Sequence, residues 1–143
     1  MSLWILDTDH VSAVLRGNDR IIQKATQHYP HAVITIVTVQ ELFNGWIAKI
    51  NQTTDSKRLV NLYGKLNQTL DLFEAVAVLN FDETARRIYE ELRGRSPILK
   101  RKRFEKDLRI ASICLANDAI MVTRNTKDFI LIPNLVLENW FDS

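Results

Sequence analysis

Short apolar segments alternate along the chain with longer segments in which apolar residues recur at helical spacing. The apolar segments are LWIL (3–6), AVITIV (32–37), AVAVLN (75–80), AIMVT (119–123) and the weaker NLVLE (134–138). Strands that are apolar on both faces and alternate with helices are typical of a parallel sheet covered on both sides. The pattern therefore predicts an α/β fold, a three-layer α/β/α sandwich with a mostly parallel central sheet.

Helical spacing is clearest in three of the longer segments. FDETARRIYEEL (81–92) has a stripe of apolar residues behind Asp82, which is placed to cap the helix. Residues 55–73 place Leu62, Tyr63 and Leu70 on one stripe, and a third helix is predicted over 104–118.

Polar residues follow three of the predicted strands. Asp7 and Asp9 come directly after LWIL, Glu41 follows AVITIV, and RNTKDF (124–129) follows AIMVT. Ligands of open parallel sheets bind outside the carboxyl ends of the strands. We therefore expect these acids and amides to meet at one edge of the sheet.

Two of the acids have structural explanations that compete with a functional one. Thr38 and Glu41 have the spacing of a capping box, in which each side chain bonds the other residue's backbone amide at the start of a helix. Asp107 lies within the apolar stripe of its helix, where a carboxylate must be paired, hydrogen-bonded or bound to metal. Asp107 could instead cap a helix that begins there. Both alternatives stay open at this point.

The remaining side chains exclude several kinds of site. Cys114 is the only cysteine, and the chain lacks the P-loop, G-x-G-x-x-G and G-x-S-x-G motifs. His10, His28 and His31 have no metal-ligand spacing and no evident triad partner. What remains is oxygen chemistry, and carboxylates suit Mg²⁺ or Mn²⁺, which organise phosphodiester chemistry.

Composition and charge indicate a soluble intracellular protein with a polyanionic partner. The 143 residues are 46% hydrophobic, and no apolar run approaches the length of a membrane span. The net charge is only +2, but residues 86–109 contain ten Lys and Arg against four Asp and Glu. A solvated helix face explains part of this excess. The run Lys100, Arg101, Lys102 and Arg103 has no acidic partner before Glu105 and favours phosphate contact.

Five motifs in this order resemble the signatures of PIN-domain ribonucleases of the VapC toxin type. They are LWILDTD (3–9), TVQELFNG (38–45), DLRIA (107–111), VTRNTKDF (122–129) and LVLENW (135–140). Each motif is weak by itself, but together they extend over nearly the whole chain. The resemblance implies that residues 1–143 form a single PIN domain, and that this domain is an endoribonuclease dependent on Mg²⁺ or Mn²⁺.

The resemblance also assigns residues to the site. Asp7, Glu41 and Asp107 match the acids that hold the metal and its water. Asn125 matches a fourth position that is often acidic in the family, so Asp128 or Asp9 would have to compensate if a second metal is held.

The basic stretch before Asp107 departs from the short glycine-containing turn that is common in the family. We expect Lys100, Arg101, Lys102 and Arg103, together with Arg124, to bind RNA. The family likeness further implies a VapB-type antitoxin whose C-terminal segment occludes the active site, a homodimer, a cytoplasmic location and no association with membranes.

Two other functions stay open. LWILDTDHV also matches haloacid dehalogenase-like phosphatases, with Asp7 as nucleophile and Asp9 as general acid, although TRNTKDF lacks the acidic pair that such enzymes need. Because Asn125 replaces an acid, the chain could also be a PIN module that binds RNA or a partner without cutting.

Overall fold

The computed structural model describes residues 2–142. The strands are β1 (Trp4–Leu6), β2 (Ala32–Thr35), β3 (Val78–Leu79), β4 (Ile120–Val122) and β5 (Leu137–Glu138). The helices are α1 (Thr8–Leu15), α2 (Asp19–His28), α3 (Ile36–Gln52), α4 (Ser56–Ala75), α5 (Glu83–Arg95), α6 (Glu105–Ala116) and α7 (Thr126–Phe129). Two short 3-10 helices, Pro97–Lys100 and Lys102–Phe104, lie between α5 and α6.

The strands form one parallel sheet in the order β3-β2-β1-β4-β5. Trp4 of β1 is in register with Ala32 of β2 and with Ile120 of β4, so β1 lies at the centre. Because all four pairings are parallel, the segments that follow β1, β2 and β4 all leave the sheet at the same edge.

Alternation along the strands divides the core between the two faces of the sheet. Ile5 packs in a cluster with residues of α5 and α6, whereas its neighbour Leu6 packs in a second cluster with residues of α1 and α2. Met121 and Val122 of β4 divide in the same way. The predicted three-layer α/β sandwich is confirmed, with helices on both faces.

Two helix starts differ from the alternatives that the sequence left open. Helix α3 begins at Ile36, and Thr35 caps it by accepting a hydrogen bond from the Thr38 amide. The capping-box explanation of Glu41 is therefore wrong, because Thr38 and Glu41 lie inside the helix. The explanation of Asp107 as a helix cap is also wrong, since α6 already begins at Glu105. The Asp82 cap of α5 is confirmed by its bond from the Ala85 amide.

The buried face of α4 also differs from the predicted stripe. Leu62 is buried as expected, but Tyr63 and Leu70 are 55% and 44% exposed. Thr69 is buried instead, and its hydroxyl accepts a hydrogen bond from the indole Nε1 of Trp46 at 3.0 Å. The buried face of α4 therefore includes a polar contact with α3.

The C-terminal residues close the fold beside the first strand. Trp140 is fully buried, and its indole Nε1 donates to Oε1 of Glu138 at 3.0 Å. Nε1 of Trp4 donates to Oε2 of the same carboxylate at 3.2 Å. Glu138 thus links Trp4 of β1 to Trp140. Within residues 2–142, no helix is long and apolar enough to cross a membrane.

Replacing the buried indole should destabilise the whole domain. Trp140→Ala removes a large buried side chain and leaves Glu138 without one of its two donors, so we expect a loss of about 3–5 kcal/mol in the free energy of unfolding. Urea denaturation followed by circular dichroism measures this loss. Leu131, which is 66% exposed, provides the control, because Leu131→Ala should change stability by less than about 0.5 kcal/mol. Equal losses of stability in Trp140→Ala and Leu131→Ala would contradict the structural role of Trp140.

Candidate active site

Acidic residues from three elements surround one cleft at the carboxyl edge of the sheet. Its volume is about 390 Å³. The acids that line it are Asp7, Asp9, Glu41, Glu105 and Asp107, and the basic residues are Lys102, Arg103 and Lys106. The cleft therefore combines a floor of carboxylates with a cationic side.

Asp7 is buried at the end of β1 and caps α1. Its Oδ1 accepts the His10 backbone amide at 3.0 Å and is also 2.8 Å from Nδ1 of the His10 ring. Both contacts use the same carboxylate oxygen. In the part of the chain that the structure describes, Oδ2 accepts no further hydrogen bond and is the oxygen left for a ligand.

Glu41 is held by two threonine hydroxyls. The Thr8 hydroxyl donates to Oε1 of Glu41 at 2.7 Å and lies 3.0 Å from the hydroxyl of Thr38. A hydroxyl has a single proton, so Thr38 must donate to Thr8 while Thr8 donates to Glu41. This chain of bonds fixes the orientation of one carboxylate oxygen of Glu41.

Asp107 projects from the first turn of α6 and contacts Asn125. The Asn125 side-chain amide donates to Oδ2 of Asp107 at 3.0 Å, and its backbone amide donates to the Thr123 hydroxyl. Burial, which is the largest cause, and the nearby charge of Asp7 raise the pKa of Asp107 to about 6, and the Asn125 bond lowers it by less than Asp7 raises it. Glu41 and Asp9 add smaller effects in the same direction. The neighbouring acids therefore add to the effect of burial in raising the pKa of Asp107.

The other predicted residues lie at different distances from the acids. Lys102 and Arg103 line the cleft, whereas Lys100 and Arg101 are exposed and do not. Asp128 is exposed on α7 and is not part of the lining. Arg124 is exposed, and its guanidinium lies 4.0 Å from the centre of the Phe141 ring.

The donor set fits a small divalent cation. Among residues 2–142, no group of three or more His, Cys, Asp or Glu side chains is arranged as a metal site. The available donors are carboxylate and amide oxygens with mutually repelling charges, which Mg²⁺ and Mn²⁺ favour and usually supplement with water. A bound cation would relieve the repulsion that raises the pKa of Asp107.

Sequence reasoning missed two features of the cleft. His10 is the direct partner of Asp7, and Lys106 is a third basic residue of the lining. The first could have been found from spacing, because a residue three positions after a helix cap lies beside the cap's side chain. Lys106 lies three residues after the predicted basic run, and only the position of α6 in the structure shows that it lines the cleft.

Comparison with known proteins identifies similar chains. Ribonuclease VapC2 of Rickettsia felis is 40% identical over 75 residues, which cover 50% of this chain. The match spans about half of that protein, 54% of its length. No protein-family model matches the chain.

Solved structures extend the likeness to the full fold. The VapBC2 complex of R. felis bound to a promoter DNA fragment contains a chain with a TM-score of 0.74 and 28% identity, covering 96% of this chain and 98% of that one. DNA-bound VapBC of Salmonella typhimurium gives a TM-score of 0.76 at 22% identity, with 98% and 99% covered, and shows the fold. The resemblance to VapC-type PIN proteins is therefore confirmed.

The raised pKa of Asp107 gives the stability of the apo protein a distinct pH dependence. The ordinary value is 3.8 and the folded value about 6, so between these pH values the unfolded chain has lost a proton that the folded chain retains. Stability attributable to Asp107 is therefore present below pH 3.8 and lost as pH rises through 6, by up to about 3 kcal/mol.

Asp107→Asn removes this loss, because an amide cannot ionise and its oxygen can still accept the Asn125 bond. We expect the variant to exceed the wild type in stability above pH 6 and to match it near pH 3.5, as measured by urea denaturation without divalent cations. Asp128→Asn changes an exposed acid and should leave the difference curve flat. If the stability difference between Asp107→Asn and the wild type also did not change with pH, the raised pKa of Asp107 would be contradicted.

Proposed function

This chain has the fold and the ordered motifs of VapC-type PIN-domain proteins, and on that premise we propose that it is a divalent-metal-dependent endoribonuclease, the toxin of a VapBC-type toxin–antitoxin pair. The observation that carries the proposal is the cleft in which Asp7, Glu41 and Asp107 stand at one sheet edge. Burial and the neighbouring acids raise the pKa of Asp107, and the acids provide only oxygen donors. Such a site is suited to an ion that binds phosphate.

In this proposal Asp7 and Asp107 hold Mg²⁺ or Mn²⁺. The ion supplies Lewis acidity toward a phosphodiester when it is bound. Asp7 contributes Oδ2, because Oδ1 is taken by His10. Asn125 orients Asp107 through its side-chain amide, although it is not part of the cleft lining.

Glu41 is the residue that we assign to the attacking water. Its Oε1 is fixed by the Thr8 hydroxyl, which leaves Oε2 to orient a water molecule or accept its proton. The Thr38 hydroxyl holds Thr8 in this role. Asp9, exposed at the rim, and Asp128, outside the lining, are supporting candidates for a second ion.

The cationic side of the cleft is proposed to bind the RNA backbone. Lys102 and Arg103 line the cleft and are exposed, so their charges can reach a phosphate next to the acids. Lys100, Arg101 and Arg124 lie outside the lining and would contact more distant phosphates. The two groups should therefore differ in their effect on cleavage.

Partners follow from the related complexes. The R. felis and S. typhimurium structures are complexes of VapB with VapC, each with DNA. For this chain we propose a VapB-type antitoxin that occludes the cleft, a homodimer and a single PIN domain over residues 1–143.

Loss of either metal-holding acid should abolish cleavage without unfolding the protein. We expect Asp7→Asn and Asp107→Asn to lower Mg²⁺-dependent cleavage of total RNA by about 100-fold or more, because each removes charge from the cation site. Gel analysis of the products with and without Mg²⁺ measures activity, and the Mn²⁺-induced rise in melting temperature measures binding. Asp71→Asn, an exposed acid on α4, is the control and should retain both.

Full cleavage by both site variants would contradict the proposal. A Mn²⁺ shift without cleavage by the wild type would favour a PIN module that only binds RNA or a partner. Trapping of a phosphorylated Asp7 with a phosphate ester would favour the phosphatase alternative, since metal-assisted hydrolysis forms no covalent aspartyl intermediate.

Charge reversal beside the cleft should weaken RNA binding in a salt-dependent way. In Lys102→Glu/Arg103→Glu two phosphate contacts are lost, so the slope of log K against log salt should fall by about 1.4 for single-stranded RNA. Binding is followed by fluorescence anisotropy at several salt concentrations, with Asp107→Asn as the background to prevent cleavage. Lys57→Glu/Arg58→Glu changes an adjacent exposed Lys–Arg pair on α4 and should reduce the slope much less. Equal salt slopes for the two double variants would indicate that Lys102 and Arg103 belong to a solvated face and do not contact the RNA.

A further inference from the structure

His10 is a fully buried histidine that lies between the candidate metal site and the C-terminal segment. Its Nδ1 is 2.8 Å from Oδ1 of Asp7, and its Nε2 accepts the backbone amide of Trp140 at 3.3 Å. The ring is also enclosed by two aromatic rings, with centres 4.6 Å away for Phe141 and 6.3 Å for Trp140. Both ring nitrogens are therefore engaged, one on each side.

These two contacts determine where the ring carries its hydrogen. A backbone amide can only donate, so Nε2 must be the bare, accepting nitrogen. In the neutral ring the hydrogen then lies on Nδ1, which donates to Asp7. The Trp140 amide thus selects the one tautomer of His10 that can bond the Asp7 carboxylate.

The tautomer fixes the orientation of Asp7 at the cleft. Oδ1 accepts two hydrogen bonds from His10, one from the backbone amide and one from the ring, so the carboxylate cannot rotate without losing both. Oδ2 then remains as the oxygen available to the cleft. Partners of this kind commonly orient metal ligands and alter metal affinity by about 10–100-fold when they are changed.

We propose that His10 is a positioning residue, which aims Oδ2 of Asp7 at the divalent cation and is itself set by the backbone of Trp140. The inference rests on the proposed function to the extent that Asp7 binds the cation. It gives the Trp140 backbone an indirect role at the cation site, although no side chain after β5 lines the cleft among residues 2–142.

Two substitutions separate this role from simple packing. His10→Asn retains an amide near the Nδ1 position, which can donate to Asp7, but does not reach Trp140. His10→Gln can accept the Trp140 amide with its Oε1 but places no donor at the Nδ1 position. Each variant loses one of the two ring hydrogen bonds and some buried volume, so a packing role predicts similar effects for both.

The measurement is the affinity for Mn²⁺ alone, obtained by calorimetry and by thermal shift. We expect His10→Asn to stay within about threefold of the wild type and His10→Gln to lose about 10-fold or more. Equal losses, or a larger loss in His10→Asn, would overturn the positioning role while leaving the metal site intact. A wild type that binds no Mn²⁺ would instead overturn the metal site and this inference with it.

A measurement on the wild type decides the matter if either variant fails to fold. Nitrogen-15 NMR of the histidine rings should show His10 with its hydrogen on Nδ1 in the absence of metal, and the Nδ1–H signal should move in a saturable way as Mg²⁺ is added. A hydrogen on Nε2, or a signal that Mg²⁺ leaves unchanged, would overturn the proposal. Loss of RNA cleavage has no bearing on this result, so the two proposals fail separately.

Discussion

Electrostatic repulsion among carboxylates at one edge of a parallel sheet is the constraint on which the rest of this structure depends. Parallel pairing of β1 with β2 and β4 directs the following segments to the same edge, and the acids arrive there together. Left in water they would separate, but here the sheet and α6 hold them in place. The pKa of Asp107 is raised as a result, by its burial first and then by the charge of Asp7. The hydrogen bond from Asn125 reduces this shift without removing it.

Each acid is held by a different chemical device. A histidine holds Asp7, a pair of threonines holds Glu41, and an asparagine amide holds Asp107. In each case one oxygen accepts from the protein and the carboxylate stays within a narrow range of orientations. The clustered charges favour a cation but lower the stability of the folded protein. Functional sites commonly lower stability in this way.

Much of this arrangement could be predicted from the sequence. The features that could not be predicted were missed for identifiable physical reasons. The sheet was predictable because buried parallel strands are apolar on both faces. Asp107 could be singled out because it is a carboxylate within the apolar stripe of its helix. The start of α3 was not predictable, since Thr35 and Thr38 are equally good caps by residue type and only the end of β2 decides between them. The contact of Thr8 with Glu41 spans 33 residues and that of His10 with Trp140 spans 130, and spacing along the chain can reveal neither of them.

The bond from Trp4 to Glu138 joins residues 134 positions apart, and it has a consequence for the order in which the molecule is made. During synthesis the first acid emerges from the ribosome long before the strand and the tryptophan that close over it. Contacts between residues this far apart are slow to form, because the intervening chain must first be closed into a loop. The acidic edge is thus completed only after Glu138 and Trp140 have been translated, and a nascent chain, or one truncated before them, carries the acids without these contacts.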